Sequence, residues 1–454
     1  MAGRRRLVSR DMHTGEPAAG TFDVIVVGAG PAGASAALRL AQREARVLLL
    51  ERGEVPGDKN MFGGLLPYNP IFEELVPAFY SQAPWERNVV RRVLTVVGDG
   101  TSTSLAFESE RFDDSPIGGV TLYRPHFDRW FAEQAQAAGA HLLTGCRVTG
   151  LLREGADPAA PVVGVNLGDG RSEARAPIVI LCDGVLSLLA RDAGLRPEFR
   201  ASDMAVGVRA LLGLSEHEIN RRFGLVRRQG ASHEFLGVTE GIRGGGFLYT
   251  QQETVSVGLV LHLDSLRDRK VAPQELLGRF LALPAVDRLT RGGRLLEYSA
   301  HLLPEGGFAM IPRLFADGVL LAGDAATLCY TNGLVQEGMN LAIFSGVTAA
   351  DAALESLATA DASSAGLSVY ERRLKESFVL SDMKTFARST ALMHNERLFG
   401  TYPRVMGAVL ESLYRSDGKP KRKLGRLIRD ELAGEVRTRD FLRDIYEMGG
   451  GLAW

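Results

Sequence analysis

Residues 22–52 read FDVIVVGAGPAGASAALRLAQREARVLLLER, and this stretch sets the fold. The run Asp23-Val24-Ile25-Val26-Val27 is apolar and largely β-branched, so it reads as a buried strand. Gly28, Gly30 and Gly33 then give G-x-G-x-x-G. Pro31 to Arg43 is rich in Ala and Leu and reads as a helix, with Pro31 in the first turn, where its missing N–H costs nothing. Arg46 to Leu50 reads as a second strand, closed by Glu51 and Arg52. This order of elements is a dinucleotide-binding unit: the turn must be tight, its backbone must touch a pyrophosphate, and the helix must pack close to the strand. The diphosphate is expected on Gly30, Pro31, Ala32 and Gly33, where unpaired N–H groups and the helix dipole favour an anion. Glu51 lies eighteen residues past Gly33, where a carboxylate can accept from ribose hydroxyls.

The motif does not by itself choose between NAD and FAD. Its place near the N-terminus, with a long chain following, points to FAD. A second signature agrees. Gly318-Val319-Leu320-Leu321-Ala322-Gly323-Asp324 puts an aspartate directly after an apolar strand, where a carboxylate is costly unless something bonds it. The ribityl hydroxyls of FAD meet that need; capping of a following helix is the plainer alternative. Thr331-Asn332-Gly333-Leu334 is expected to lead into a helix from about Leu334 to Leu354, whose N-terminus would stabilise negative charge on a reduced flavin. Asp183-Gly184, after the strand Ala176 to Cys182, reads as a third passage beside the dinucleotide, with an ordinary strand-ending turn as the plainer alternative, and Val148 is also assigned to the site.

Composition bounds the rest. With 454 residues, two or three connected domains are expected, and a hydrophobic content of 45% is ample for their cores. A net charge of −1 argues against nucleic-acid binding. Cys146, Cys182 and Cys329 lie far apart, too few and too scattered for a cysteine-ligated cluster or a disulfide framework, which fits a reducing cytoplasm. No metal site is expected. The first 21 residues, with Arg4-Arg5-Arg6, lack the apolar core of a secretion signal and read as a disordered tail. No uninterrupted apolar run reaches the roughly eighteen residues that span a bilayer, so any membrane contact is expected to be peripheral. The architecture expected is mixed α/β: a discontinuous Rossmann-like FAD-binding domain over 22–203 and 310–365, an inserted, mostly antiparallel β-rich substrate or quinone domain over 204–309, and a helical C-terminal region over 366–454.

Longer segments resemble a known family. Glu51-Arg52-Gly53-Glu54-Val55-Pro56-Gly57-Asp58-Lys59-Asn60 with Gly63-Gly64, then Leu303-Pro304-Glu305-Gly306-Gly307, the Gly323-Asp324 loop with Thr331-Asn332-Gly333, and Thr401-Tyr402-Pro403 with Asp417-Gly418-Lys419-Pro420-Lys421 are similar to FixC-type flavoprotein dehydrogenases. These are relatives of electron-transfer flavoprotein:quinone oxidoreductase and of geranylgeranyl reductase. The resemblance implies non-covalent FAD in a fold of the para-hydroxybenzoate hydroxylase type, and electron passage between an electron-transfer flavoprotein and a quinone. Larger members carry a four-iron cluster in a C-terminal ferredoxin-like domain. The cysteine count sorts this chain with the FixC branch, which lacks that domain and resembles partners of a separate small ferredoxin-like subunit. The resemblance also places Lys59 and Asn60 beside the isoalloxazine and Arg124 near the FAD phosphates or ribityl chain; a solvated loop and an exposed helix-start arginine are the plainer alternatives.

Other residues invite a role and receive a plainer one. Cys329 reads as a buried structural thiol, since no resolving cysteine is near it. His301 and His394 are not assigned acid or base roles, and no catalytic side chain is named. The run Lys419 to Lys423 with Arg426 and Arg429 suits an acidic protein or anionic lipid heads, with a solvated helix face as the default. Leu65, Leu66, Tyr68, Phe72, Leu75, Phe79 and Tyr80 suggest an apolar quinone entrance, against which core packing is the stronger expectation. A rival function in the same fold is a standalone flavoenzyme acting on an isoprenoid or specialised metabolite.

Overall fold

The computed structural model describes residues 22–58, 64–168, 172–333 and 335–452. The readings made for residues 1–21, Lys59, Asn60, Gly63 and Leu334 lie outside them. The quoted stretch forms strand β1 (Val24–Val27), helix α1 (Pro31–Gln42) and strand β2 (Val47–Leu50). Helix α2 (Arg124–Ala137), strands β3 (Ile178–Leu181) and β4 (Val319–Leu321), and helix α3 (Met339–Thr359) complete the frame around them.

A six-stranded sheet runs in the order 315–316, β4, β3, β1, β2, 141–143. Its strands are parallel except for the 315–316 edge. Both faces are covered, so the strands are continuously apolar instead of alternating. The register matters for function. Val27 pairs with both Leu50 and Leu181, and Leu181 pairs with Leu321, so four parallel strands end level at one edge. That edge is where open α/β sheets bind ligands.

The helices on this sheet approach unusually closely, and small residues make that possible. A Cβ on Gly346 of α3 would stand 2.1 Å from the Ala32 carbonyl oxygen of α1. Ser35 Oγ donates to the Ile343 carbonyl at 3.0 Å, and Arg39 pairs with Asp351 at 2.8 Å. Helix α3 begins at Met339, five residues later than expected, because a short hairpin of 330–331 and 336–337 precedes it. It is also long and apolar enough to cross a membrane by length and composition, a property the search for uninterrupted apolar runs missed. Two-thirds of its apolar window (67%) is buried inside the protein, as in the core helix of a folded domain.

A nine-stranded sheet lies over the first. Its order is 294–304, 204–213, 254–262, 244–250, 229–236, 85–98, 120–122, 65–66, with 101–108 also paired to 85–98. All pairings are antiparallel except 229–236 with 85–98. The strands of 65–122, which the sequence division kept with the FAD-binding segment, thus belong to this sheet. Leu66, Phe72, Leu75 and Phe79 are buried in the core beneath it, so these four form no exposed plateau, while Leu65 is half-buried. Toward the C-terminus, residues 366–386 pack on the core of the parallel sheet, where Tyr370 Oη donates to the Leu321 carbonyl at 2.7 Å. The run Lys419 to Lys423 is exposed but non-helical, preceding the helix Leu424–Leu432.

Candidate functional site

The level strand ends bring Gly28, Glu51, Asp183 and Asp324 to the mouth of one cavity of about 640 Å³. The same cavity is lined by Gly30, Pro31, Ala32, Arg52, Gly64, Arg124, Val148, Gly184 and Gly333. Residues almost three hundred positions apart in the chain are therefore neighbours. Gly323, with φ of +62°, sits so close to α1 that an added Cβ would meet the Ala32 methyl at 2.9 Å. Its N–H is held by Ser345 Oγ at 3.0 Å.

Glu51 has a double task. Its carboxylate accepts from the Ala29 amide at 2.9 Å and the Gly53 amide at 2.7 Å, so the end of β2 holds the glycine turn in place. A carboxylate has about four acceptor positions, which leaves room for ribose hydroxyls beside the two amides. Arg124 is buried at the start of α2, so the exposed helix-start alternative fails. Burial opposes its charge, but Asp128, fully buried one turn on, more than offsets this through bonds of 2.8 and 2.7 Å. Asp324 faces the cavity, and among the described residues no side chain donates to its carboxylate. Burial raises its pKa, and the neighbouring Arg124 charge opposes the rise. Asp183 accepts from Ser187 Oγ at 2.7 Å; burial pushes it up to about 6 against that bond and the Arg196 and Arg52 charges.

Sequence reasoning missed several groups. Arg196 braces two loops at once: its guanidinium donates to the carbonyls of Val185, Leu186 and Ser187, and to that of Ala325 beside Asp324. No local motif announces such a brace. Asp128 was readable, because it stands four residues from Arg124 on a helix. Tyr249 Oη accepts from the Gly64 amide at 3.2 Å, and a Cβ on Gly64 would overlap its ring. Cys146, Cys182 and Cys329 all line the cavity, and burial raises each thiol above its ordinary value. Among the described residues no group of His, Cys, Asp and Glu is placed to hold a metal ion.

Glu305 also lines the cavity, buried, with its carboxylate accepting from Gln336 Nε2 at 2.6 Å. Burial pushes its carboxyl up to about 7, against that bond. Between 4.5, the ordinary value, and about 7 the folded chain holds a proton that the unfolded chain releases, so stability falls as pH rises through that window. Glu305→Gln keeps an acceptor for Gln336 and removes the charge. The variant is expected to gain about 2 to 3 kcal/mol over the native protein near pH 8 and little near pH 5, read by chemical denaturation. An equal difference at both pH values would show that Glu305 is ionised throughout.

Residues 23–198 match the family described as FAD dependent oxidoreductase, and residues 389–451 match the ETF-QO/FixC family C-terminal domain. The probable electron transfer flavoprotein-quinone oxidoreductase YdiS of Escherichia coli (strain K12) is 41% identical over 90% of this chain and 94% of its own. Protein FixC of Salmonella typhi is 40% identical, over 88% and 93%. The chain belongs to the FixC and electron transfer flavoprotein-quinone oxidoreductase family. It is a FAD-dependent oxidoreductase of the electron-transfer kind, as the resemblance implied. A geranylgeranyl bacteriochlorophyll reductase-like protein from Thermoplasma acidophilum shares the fold of this FixC-family chain, with a TM-score of 0.70, 20% identity, and 94% and 98% of the two chains covered. The flavin-dependent brominase Bmp2 does so with a TM-score of 0.62 at 16% identity, over 94% and 99%. The residues present fit FAD: a glycine turn opening on a helix N-terminus, an acid at the end of β2, and a cavity-facing Asp324 that needs hydroxyl donors.

Proposed function

We propose that this FixC-family protein takes electrons from an electron-transfer flavoprotein and hands them to a quinone or a small ferredoxin-like protein. The observation that carries the reading is the single cavity, which runs from the glycine turn to Phe247, Tyr249 and His301 on the large sheet. One end suits a dinucleotide, and the other gives an apolar acceptor a place beside it. FAD, when bound, supplies a carrier that can exchange electrons in pairs or singly. The chain supplies position and field. In this reading Gly30, Pro31, Ala32 and Gly33 present the amides of α1 to the diphosphate, and Glu51 accepts from the adenosine ribose. Asp324 accepts from the ribityl hydroxyls, with the Arg124 charge opposing the rise that burial imposes on its pKa. Gly184, Gly333 and Val148 line the path, and Arg52 adds positive charge at its edge. The exposed run Lys419 to Lys423 suits peripheral contact with an anionic membrane face from the cytoplasmic side.

Anaerobic stopped-flow reduction tests the partners: the holoprotein is mixed with reduced electron-transfer flavoprotein, NADH and a panel of reduced metabolites. Bleaching by the flavoprotein and recolouring by a quinone analogue or an oxidised ferredoxin-like partner is expected. Bleaching by a small metabolite alone would replace this reading with that of a standalone flavoenzyme. Asp324→Ala should leave ribityl hydroxyls without their acceptor and weaken FAD by about 1 to 3 kcal/mol, measured by titrating apoprotein with FAD. Unchanged affinity would mean that the carboxylate bonds elsewhere.

A further inference from the structure

Strand 229–236 separates two cavities. Ser232, Glu234 and Leu236 line the flavin cavity, while the alternate residue His233 lines a second one of about 470 Å³ on the reverse face, and Phe235 borders both. Four further elements build this second cavity. Arg91, Val93 and Thr95 come from strand 85–98, Ser104 and Ala106 from strand 101–108, Arg221, Arg222 and Phe223 from helix 216–223, and Ala285, Arg288 and Leu289 from helix 284–290.

Its charge is one-sided. No carboxylate lines it, whereas four arginines do. Glu218 pairs with both Arg221 and Arg222, at 2.8 Å each, and Glu108 stands 3.7 Å from Arg91. Four guanidinium groups against two carboxylates leave an excess of two positive charges. Like charges gathered around one hollow repel unless an anion shares them. At the floor His233 is only 9% exposed, and its Nε2 is buried without a hydrogen-bond partner. The Nε of Arg91 is also buried and without a partner. Burial and the Arg91 and Arg288 charges hold the imidazole neutral, with its pKa down at about 4. A neutral imidazole with hydrogen on Nε2 donates one bond and adds no further charge. Beside these polar groups lie Val93, Ala106, Phe223, Phe235 and Leu289, which cannot bond an anionic head but can cover an apolar body.

We propose that the reverse face of the large sheet carries a binding site for a small organic anion, its phosphate or carboxylate head on Arg91, Arg288 and His233 and its apolar body against Phe235 and Leu289. The site is separate from the flavin cavity, with one strand between them. Arginine forks suit such heads by geometry as well as charge.

The test uses FAD-loaded protein, so that the flavin cavity is filled, with calorimetric titration by phenyl phosphate, inorganic phosphate and phenol in low salt. Phenyl phosphate is expected to bind saturably, once per chain, and roughly tenfold or more tighter than inorganic phosphate, since only it uses both halves of the site. Phenol should bind too weakly to measure. Arg288 is exposed, so Arg288→Ala should keep the fold and weaken phenyl phosphate by roughly tenfold. His233→Leu should weaken it as well, and its missing imidazole proton signal assigns the resonance that moves on titration of the native protein. Absence of saturable binding, equal affinity for phosphate and phenyl phosphate, or affinity untouched in both variants would overturn the proposal.

Discussion

Gly33→Val is expected to give a colourless protein. A Cβ at residue 33 would stand 1.8 Å from the Gly28 carbonyl oxygen and 3.3 Å from Cys182 Cβ. The first obstacle is backbone, so no rotamer change relieves it. Gly28 cannot retreat: its φ is +98°, and its own Cα already faces the Cys182 carbonyl so closely that a Cβ there would lie 2.4 Å away. The first turn of α1 must therefore swing off β1, and its amides lose their aim at the diphosphate. The measure is flavin absorbance per chain after purification, with far-UV circular dichroism to follow the fold. Gly278→Ala is the control. It lies on the exposed side of a helix with nothing within 4 Å of the added methyl, so it should stay yellow and gain about 0.5 to 1 kcal/mol in stability. Full FAD occupancy in Gly33→Val would remove the glycine turn from the binding site.

What made this fold readable from sequence was local chemistry with a single solution. The run 24–27 is apolar at every position, which fits only a strand covered on both faces, and three glycines follow it where backbone must touch backbone. Asp324 was readable for the same reason: an acid at the end of a buried strand needs a partner. What could not be read was set by distant residues. The start of α3 depends on the hairpin of Tyr330–Thr331 with Gln336–Glu337, whose two-residue strands are too short to leave a period. Membership of 85–98 in the large sheet depends on its parallel pairing with 229–236, over a hundred residues on. The brace of Arg196 across two loops, and the burial of Glu305 in the cavity, are likewise properties of assembly. Neither a propensity nor a spacing encodes them.

Arg124→Met carries the second large effect, on stability. The wild-type guanidinium bonds both oxygens of Asp128, whose side chain is fully buried on α2 beneath the flavin cavity. Methionine fills much of the same space but offers no donor, so the carboxylate loses both bonds in a place water does not reach. Breaking such a buried pair from one side costs about 3 to 5 kcal/mol. The sign of the pH dependence follows. Without the arginine, burial raises the Asp128 pKa in the folded state, so the variant takes up a proton on folding, and its deficit is smallest at low pH and grows as pH rises. Denaturant unfolding of the holoprotein at about pH 5 and about pH 8 reads both features. Arg124→Met with Asp128→Leu should recover most of the loss, because replacing the whole pair by apolar groups leaves no buried charge behind. The double variant should nonetheless bind FAD more weakly than the native protein, since the Arg124 charge no longer opposes the burial-driven rise of the Asp324 pKa. Recovery of stability together with native FAD affinity would make Arg124 a purely structural residue; recovery of stability alone separates its two roles.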